Sequence, residues 1–182
     1  CVYPPTYYDC NSNCLNDSDS DGICDELEVA GCTDNTAFNY SSSATDDDGS
    51  CTFHHQIGLL NPLTGGLSAY APGFTVAAGM AIDDLNAIDS KVQYSIVVQD
   101  TKSSADGGTA GATALVAAGV VGVAGAASST VTMAANAVLS AAGVVQVSYA
   151  STSPALSDST AYPHFWRVVS SDALQGPAMK TM

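Results

Sequence analysis

The sequence predicts an α/β domain with a parallel sheet over residues 53–182, preceded by a small, irregular, cysteine-rich module over residues 1–52. Three observations carry this. Strand-like and helix-like segments alternate after Phe53. All six cysteines (Cys1, Cys10, Cys14, Cys24, Cys32, Cys51) fall within the first 51 residues. The charge divides at the same place: 11 of the 18 acidic residues, and none of the 4 Lys and Arg, lie in residues 1–51.

The elements follow in order. Gln56–Leu60 is a short run with the character of a buried strand. Phe74, Ala78, Ala81, Ile82 and Leu85 recur at helical spacing. Val92–Gln99 is a β-branched strand ending at Asp100. Ala110–Ala118 reads as a helix stopped by Gly119, and Val120–Ala124 as the next strand. Ser128 and Ser129 precede a helix over Val131–Ala142, which Gly143 ends. Val144–Tyr149 and Phe165–Val169 are the last two strands, and Asp172–Met182 opens a helix. This alternation implies right-handed βαβ crossovers. The strands are apolar almost throughout, which predicts helices on both faces. The apolar run Ala114–Ala127 is too short to span a bilayer and contains three glycines, so it reads as buried strand and turn.

The formal charge of −14 excludes nucleic-acid backbones and anionic membrane surfaces as partners, and suits cations. Dense cysteine in a short polar segment reads as a disulfide framework in an oxidising compartment, hence an extracellular, cell-surface or periplasmic protein. A zinc site is the weaker alternative, because Cys10-x3-Cys14 lacks a second pair and a nearby His. Cys14, Cys24, Cys32 and Cys51 are assigned to disulfides. Residue spacing alone does not settle the connectivity.

Asp17, Asp19, Asp21, Gly22, Ile23, Asp25 and Glu28 fill the key positions of a twelve-residue calcium loop of the EF-hand type. Calcium is a hard ion that takes oxygen ligands, so carboxylates at alternate positions wrap it. Gly22 permits the sharp turn, Ile23 offers its backbone carbonyl, Asp25 acts through a water, and Glu28 closes the sphere with both oxygens. Residues 11–16 do not look helical, so this is not a paired EF-hand. Asp9, Asn11 and Asn13 have the spacing for a second ion sharing Asp17, but Cys14 replaces the turn glycine. Asp46, Asp47 and Asp48 read as an exposed acidic turn in preference to a further calcium site.

Asn16-Asp17-Ser18-Asp19-Ser20-Asp21-Gly22 resembles thrombospondin type 3 and related calcium repeats of bacterial surface proteins. Gly31-Cys32-Thr33-Asp34 through Asp47-Asp48-Gly49-Ser50-Cys51 is similar to a short cysteine repeat found beside them. That repeat carries another cysteine where this chain has Phe38, and the departure implies that Cys32 pairs with Cys51. Cys1-Val2-Tyr3 matches Cys51-Thr52-Phe53 as the tail of an earlier copy. The alternative for Cys1 is a lipidated N-terminal cysteine.

Residues 56–182 resemble the first lobe of the type I periplasmic solute-binding proteins, the branched-chain amino-acid and amide group. The segments that carry the match are Ile57 to Gly65, Ala81-Ile82-Asp83-Asp84-Leu85-Asn86-Ala87, Gly119 to Ser129, Gly143 to Leu156, Phe165-Trp166-Arg167, and Ser171 to Gly176. The resemblance implies a flavodoxin-like parallel sheet and a small amino acid or related zwitterion as ligand. It also implies that the Ala150 carbonyl and Thr152 hydroxyl meet an α-ammonium, with Ser151 between them, and that Tyr70 covers the ligand. Ser128 and Ser129 lie at a strand's carboxyl end and a helix N-terminus, where N–H groups, a hydroxyl and the helix dipole suit a carboxylate. Simple helix capping explains the same two serines equally well. The family binds ligand between two lobes, and the sequence stops partway through the first.

No catalytic constellation is present. His54, His55 and His164 are scattered, no Gly-x-Ser-x-Gly elbow occurs, and Gly122-Val123-Ala124-Gly125 is too weak for a dinucleotide fingerprint. The sequence therefore points to a non-enzymatic solute-binding module tethered by calcium-binding repeats. The runner-up is a structural subunit of a surface layer or filament, associating with copies of itself. A sensory receptor ectodomain is a third reading.

Overall fold

The computed structural model describes residues 5–180, so the readings of Cys1 lie outside the described residues. The chain divides into two compact units: Cys1–His54 with Ser90–Gln93, and His55–Asp89 with Tyr94–Met182.

The described part of the first unit has no helix. A two-residue strand β1 (Ala30–Gly31) pairs in parallel with β2 (Asp46–Asp47), with Ala30 opposite Asp46 and Gly31 opposite Asp47. Its buried apolar residues are Cys24, Cys32 and Ala37, so half-cystines stand where a larger domain would place Leu or Val. Two disulfides, Cys14–Cys24 and Cys32–Cys51, close loops with sequence separations of 10 and 19. Loops of that length contribute about 3 kcal/mol each by restricting the unfolded chain, which offsets the near absence of an apolar core.

The second unit is built on β3 (Phe53–Asn61), α1 (Ala71–Ile88), β4 (Val92–Asp100), α2 (Ala105–Ala117), β5 (Gly122–Ala124), α3 (Ser129–Ala141), β6 (Val145–Ser148), β7 (Phe165–Arg167) and α4 (Asp172–Lys180), the first two residues of β3 and of β4 falling in the first unit. The sheet order is β4-β3-β5-β6-β7. The pairs β3–β5, β5–β6 and β6–β7 are parallel. The chain steps from β3 to one side for β4 and then to the other for β5. That reversal is a switch point, and its crevice lies beyond the carboxyl ends of β3 and β5.

Alternation along the strands divides their side chains between two faces. Leu60 and Val123 join Ala112 and Leu115 of α2 and Val131, Ala135 and Leu139 of α3 in the main core. Ile57, Leu59 and Ile96 point the other way and line a cavity of about 160 Å³ with Ala78, Ala81, Ile82 and Leu85 of α1. Farther along that face, Ile57, Ala124, Val145 and Val147 line an open groove of about 220 Å³, and Val145 is exposed. The expected full cover by helices on both faces is therefore met over β3 but incomplete over β5 and β6.

The helix expected over Ala110–Ala118 begins at Ala105, five residues early. Gly107 and Gly108 suggest a helix-breaking run, but both are buried and serve close packing. Ser104 caps the helix by accepting the Gly107 N–H at 3.1 Å. A Cβ on Gly107 would sit 2.0 Å from the Thr101 carbonyl oxygen. Gly107→Ala is expected to lower stability by about 2–3 kcal/mol, read as a fall in the melting temperature of the second unit. An unchanged melting temperature would show that the helix start can shift. Other boundaries move by a few residues: the first large strand extends to Phe53 and Asn61, and the last ends at Arg167. No helix among the described residues is long and apolar enough to cross a membrane.

Candidate functional site

The loops that follow β5, β6 and β7 meet at the carboxyl edge of the sheet. Ser128 is the N-cap residue of α3, but no side-chain hydrogen bond caps that helix. The Ser129 hydroxyl instead accepts the Ser153 N–H at 3.2 Å, joining the start of α3 to the loop after β6. The capping reading of these serines thus lacks its hydrogen bond. Thr152 continues the rim: its hydroxyl donates to Asp172 Oδ2 at 2.9 Å, and its carbonyl accepts the Asp172 N–H at 2.9 Å. Ser129, Ser153, Thr152 and Asp172 form one connected edge.

Ser151 is fully buried beneath that edge. Its hydroxyl pairs with that of Thr132 at 2.7 Å and reaches the Ala126 carbonyl at 3.3 Å. The Ser148 hydroxyl donates to the same carbonyl at 2.7 Å and accepts the Ser151 N–H at 2.9 Å. Such a satisfied buried network fixes loop positions. The Ser151 side chain therefore braces these loops from within the core. Arg167, the only arginine of the chain, donates to the Ser151 and Ser153 carbonyls at 3.4 and 2.9 Å and to the Ser157 hydroxyl at 2.5 Å. It holds the loop that presents Ala150 and Thr152.

Tyr70 stands before α1 with its ring largely exposed. It stacks on Phe74 at 6.4 Å, and Phe74 packs on Tyr149 at 4.4 Å. Tyr149 donates to the Leu60 carbonyl at 2.9 Å, and burial pushes its phenol well above the ordinary range. An aromatic ladder thus links Tyr70 to the switch point.

Asp172 and Arg167 carry much of this geometry, and neither is among the site residues expected from the sequence. An acid at a helix start is unremarkable in sequence. The signal was its place directly after the fifth strand, where the sheet's carboxyl edge must fall.

In the first unit, one carboxylate oxygen each of Asp17, Asp19 and Asp21 lies within 4.8 Å of the others. Gly22, at φ +91°, turns its N–H to Asp17 Oδ2 at 3.3 Å. Asp21 Oδ1 accepts the Ile23 N–H at 2.7 Å; the Ile23 carbonyl, the expected ligand, takes no part in that bond. Asp17 Oδ1 is buried with no hydrogen-bond partner. An orphaned carboxylate oxygen beside two others fits a hard divalent cation. Asp25 does not join the three: its oxygens accept the Ser18 N–H and hydroxyl, both at 2.7 Å, which hold its carboxyl below the usual range. Glu28 is shifted up, first by desolvation and then by repulsion from Asp46, Asp19, Asp25 and Asp21. The Asp9 carboxylate accepts the Asn11 and Asn13 N–H groups and the Asn13 amide, so the spacing that suggested a second ion makes a local turn.

The sequence profile of the family described as "Receptor family ligand binding region" matches residues 75–182. The chain belongs to this family. Among solved structures, this family member is similar to a leucine complex of an ABC transporter substrate-binding protein from Desulfitobacterium hafniense, at 27% identity and TM-score 0.62 over 70% of this chain and 38% of that one. The branched-chain amino acid transporter substrate binding protein LivJ from Streptococcus pneumoniae, in complex with isoleucine, gives 28% identity and TM-score 0.61 over 66% and 35%. A putative branched-chain amino acid ABC transporter from Rhodospirillum rubrum gives 31% and 0.61 over 71% and 37%. Among curated proteins, metabotropic glutamate receptor 6 of Rattus norvegicus is 50% identical over 60 residues, which are 33% of this chain and 7% of the receptor. The chain thus spans little more than a third of the length of these structures. Its α/β unit has the fold of a type I periplasmic binding protein lobe.

Proposed function

We propose that the α/β unit is a solute-binding lobe for a small α-amino acid, displayed outside the cytoplasm on a tether stiffened by calcium and two disulfides. The observation that carries this reading is the connected edge from Ser129 to Asp172. At one end, the N-terminus of α3 offers Ser128, Ser129 and a helix dipole to a carboxylate. At the other, Thr152 and Asp172 offer an acceptor and a negative charge to an ammonium. Because the Thr152 hydroxyl donates to Asp172, its lone pairs are left to accept from a ligand. The Ala150 carbonyl adds a second acceptor and the Tyr70 ring a cover. Leucine and isoleucine in two of the related structures are ligands of this type.

The test is calorimetry on the longest natural polypeptide that carries this sequence, with leucine, isoleucine, alanine and glutamate. Saturable heat with at least one, and none with the corresponding amine or acid lacking the other group, is expected. No heat with any of the four sinks the amino-acid reading. The tether's calcium reading stands on the loop pattern and on the orphaned Asp17 oxygen. Asp17, Asp19, Asp21 and Glu28 would hold the ion, with Asp25 bracing the loop through Ser18. When bound, the ion neutralises their mutual repulsion.

The structural-subunit reading retains one supporting observation. Leu63, Val76 and Met80 are exposed, and the first two line an open recess with Pro72 and Thr75. Concentration-dependent self-association in light scattering, with no amino-acid heat, would favour it.

A further inference from the structure

The loop that carries Tyr70 runs from the end of β3 to α1 and closes in a single 3-10 turn, Ser68–Tyr70. The loop after β4 is bonded to it. Asp100, the last residue of β4, accepts the Thr64 N–H at 3.1 Å on one carboxylate oxygen and the Thr64 hydroxyl at 2.6 Å on the other. The first of those oxygens also accepts the Lys102 N–H at 2.8 Å, which bends the second loop back toward the first. The Ser103 hydroxyl then donates to the Thr64 carbonyl at 3.0 Å and accepts the Leu67 N–H at 3.0 Å. Leu67 opens the turn: its carbonyl accepts the Tyr70 N–H at 3.1 Å. A chain of bonds thus leads from Asp100 to the backbone of Tyr70. Lys102 and Ser103 stand at φ +51° and +52°. Two successive side-chain-bearing residues in the left-handed region persist only where the surroundings hold them. Gly65, at φ +88°, lets the two loops touch, because a Cβ there would collide with the Lys102 carbonyl. Asn61 anchors the start of α1 separately, donating to the Ala71 carbonyl at 3.2 Å and the Thr75 hydroxyl at 2.8 Å. The helix start therefore has its own support, and what the Asp100 bonds fix is the loop before it.

We propose that Asp100 is a positioning residue for ligand binding: with Ser103 it latches the loop that holds Tyr70 over the amino acid. This rests on the amino-acid reading of the site. The Tyr70 ring is largely exposed, so its place depends on the loop beneath it and on its stack against Phe74. A cover already fixed before the ligand arrives has less freedom to lose on binding, and the latch acts on affinity in that way.

The test is a cycle of four proteins, each the longest natural polypeptide that carries this sequence: wild type, Asp100→Ala, Tyr70→Ala and the double variant. Each is titrated by calorimetry with leucine, or with whichever of isoleucine, alanine and glutamate gives wild type the larger heat. Asp100→Ala is expected to weaken binding about tenfold when Tyr70 is present, and by no more than about twofold once Tyr70 is gone. A residue that only stiffened the fold would lower affinity alike in both backgrounds. Equal losses in the two backgrounds, or no loss in Asp100→Ala, overturn Asp100 as a positioning residue while the amino-acid reading stands. No heat from wild type with any of the four ligands overturns that reading, and this inference with it. If Asp100→Ala brings the melting temperature of the second unit down to that of the assay, Ser103→Ala, which removes the other half of the latch, takes its place with the same pattern expected. If Tyr70→Ala binds too weakly to titrate, Tyr70→Leu serves as the second background.

Discussion

Replacing Asp172 by asparagine is expected to weaken the proposed amino-acid binding by about 10–100-fold, because hydrogen bonds to charged groups are worth about 1.5–3 kcal/mol. The variant keeps an oxygen to accept the Thr152 hydroxyl, now 2.9 Å away, and keeps the Asp172 N–H that reaches the Thr152 carbonyl. The rim should therefore persist while the charge opposite an ammonium is lost. Calorimetry on the longest natural chain reads the change, and the variant's unaltered melting temperature shows that the fold is not its cause. A ligand lacking the ammonium is expected to give no heat with either protein. Equal affinity of both proteins for an α-amino acid would remove Asp172 from the site. On this proposal the start of α4 supplies an acidic partner for the ammonium within this chain.

Chelation of calcium is expected to lower the melting temperature of the first unit by about 5–10 °C and to leave that of the second unchanged. The linkage for an ion well above its dissociation constant is about 1–3 kcal/mol, which is large for so small a unit. Differential scanning calorimetry with and without a chelator reads both transitions, and identical scans would refute the loop assignment. The pH dependence follows from Glu28. Its carboxyl is raised in the metal-free fold, by desolvation and then by Asp46, Asp19, Asp25 and Asp21. That fold therefore holds the proton more tightly than the unfolded chain does, and ionising Glu28 costs it stability as pH rises through the carboxylate range. Calcium requires the ionised form. Titrations at falling pH should show the affinity declining earlier than an ordinary glutamate would dictate.

Local patterns reached far in this sequence. The strand–helix alternation was legible because each element's apolar period is local, and the calcium reading of Asp17 to Glu28 rests on equally local offsets. Gly107 and Gly108 misled, since propensity penalises glycine in a helix while packing against Thr101 and Val131 demands it. Ser151 shows another limit of local reading. Its inward turn depends on Thr132 and Ala126, which lie 19 and 25 residues away and leave no mark on neighbouring sequence. Asp172 was hidden likewise: its bond to Thr152 joins residues 20 apart that only the folded sheet brings together.

The Cys14–Cys24 bond encloses Asp17, Asp19 and Asp21 in one small ring. That ring survives thermal or urea unfolding as long as the bond stays oxidised. The denatured chain then keeps three carboxylates within a few residues of one another and, on the calcium proposal, would retain some grip on the ion. Binding to the unfolded state subtracts from the stabilisation that the native affinity alone would give. On that proposal the bond that preorganises the loop would also make the metal a gentler lever on folding, and a reductant should widen the gap between the metal-bound and metal-free melting curves relative to binding strength.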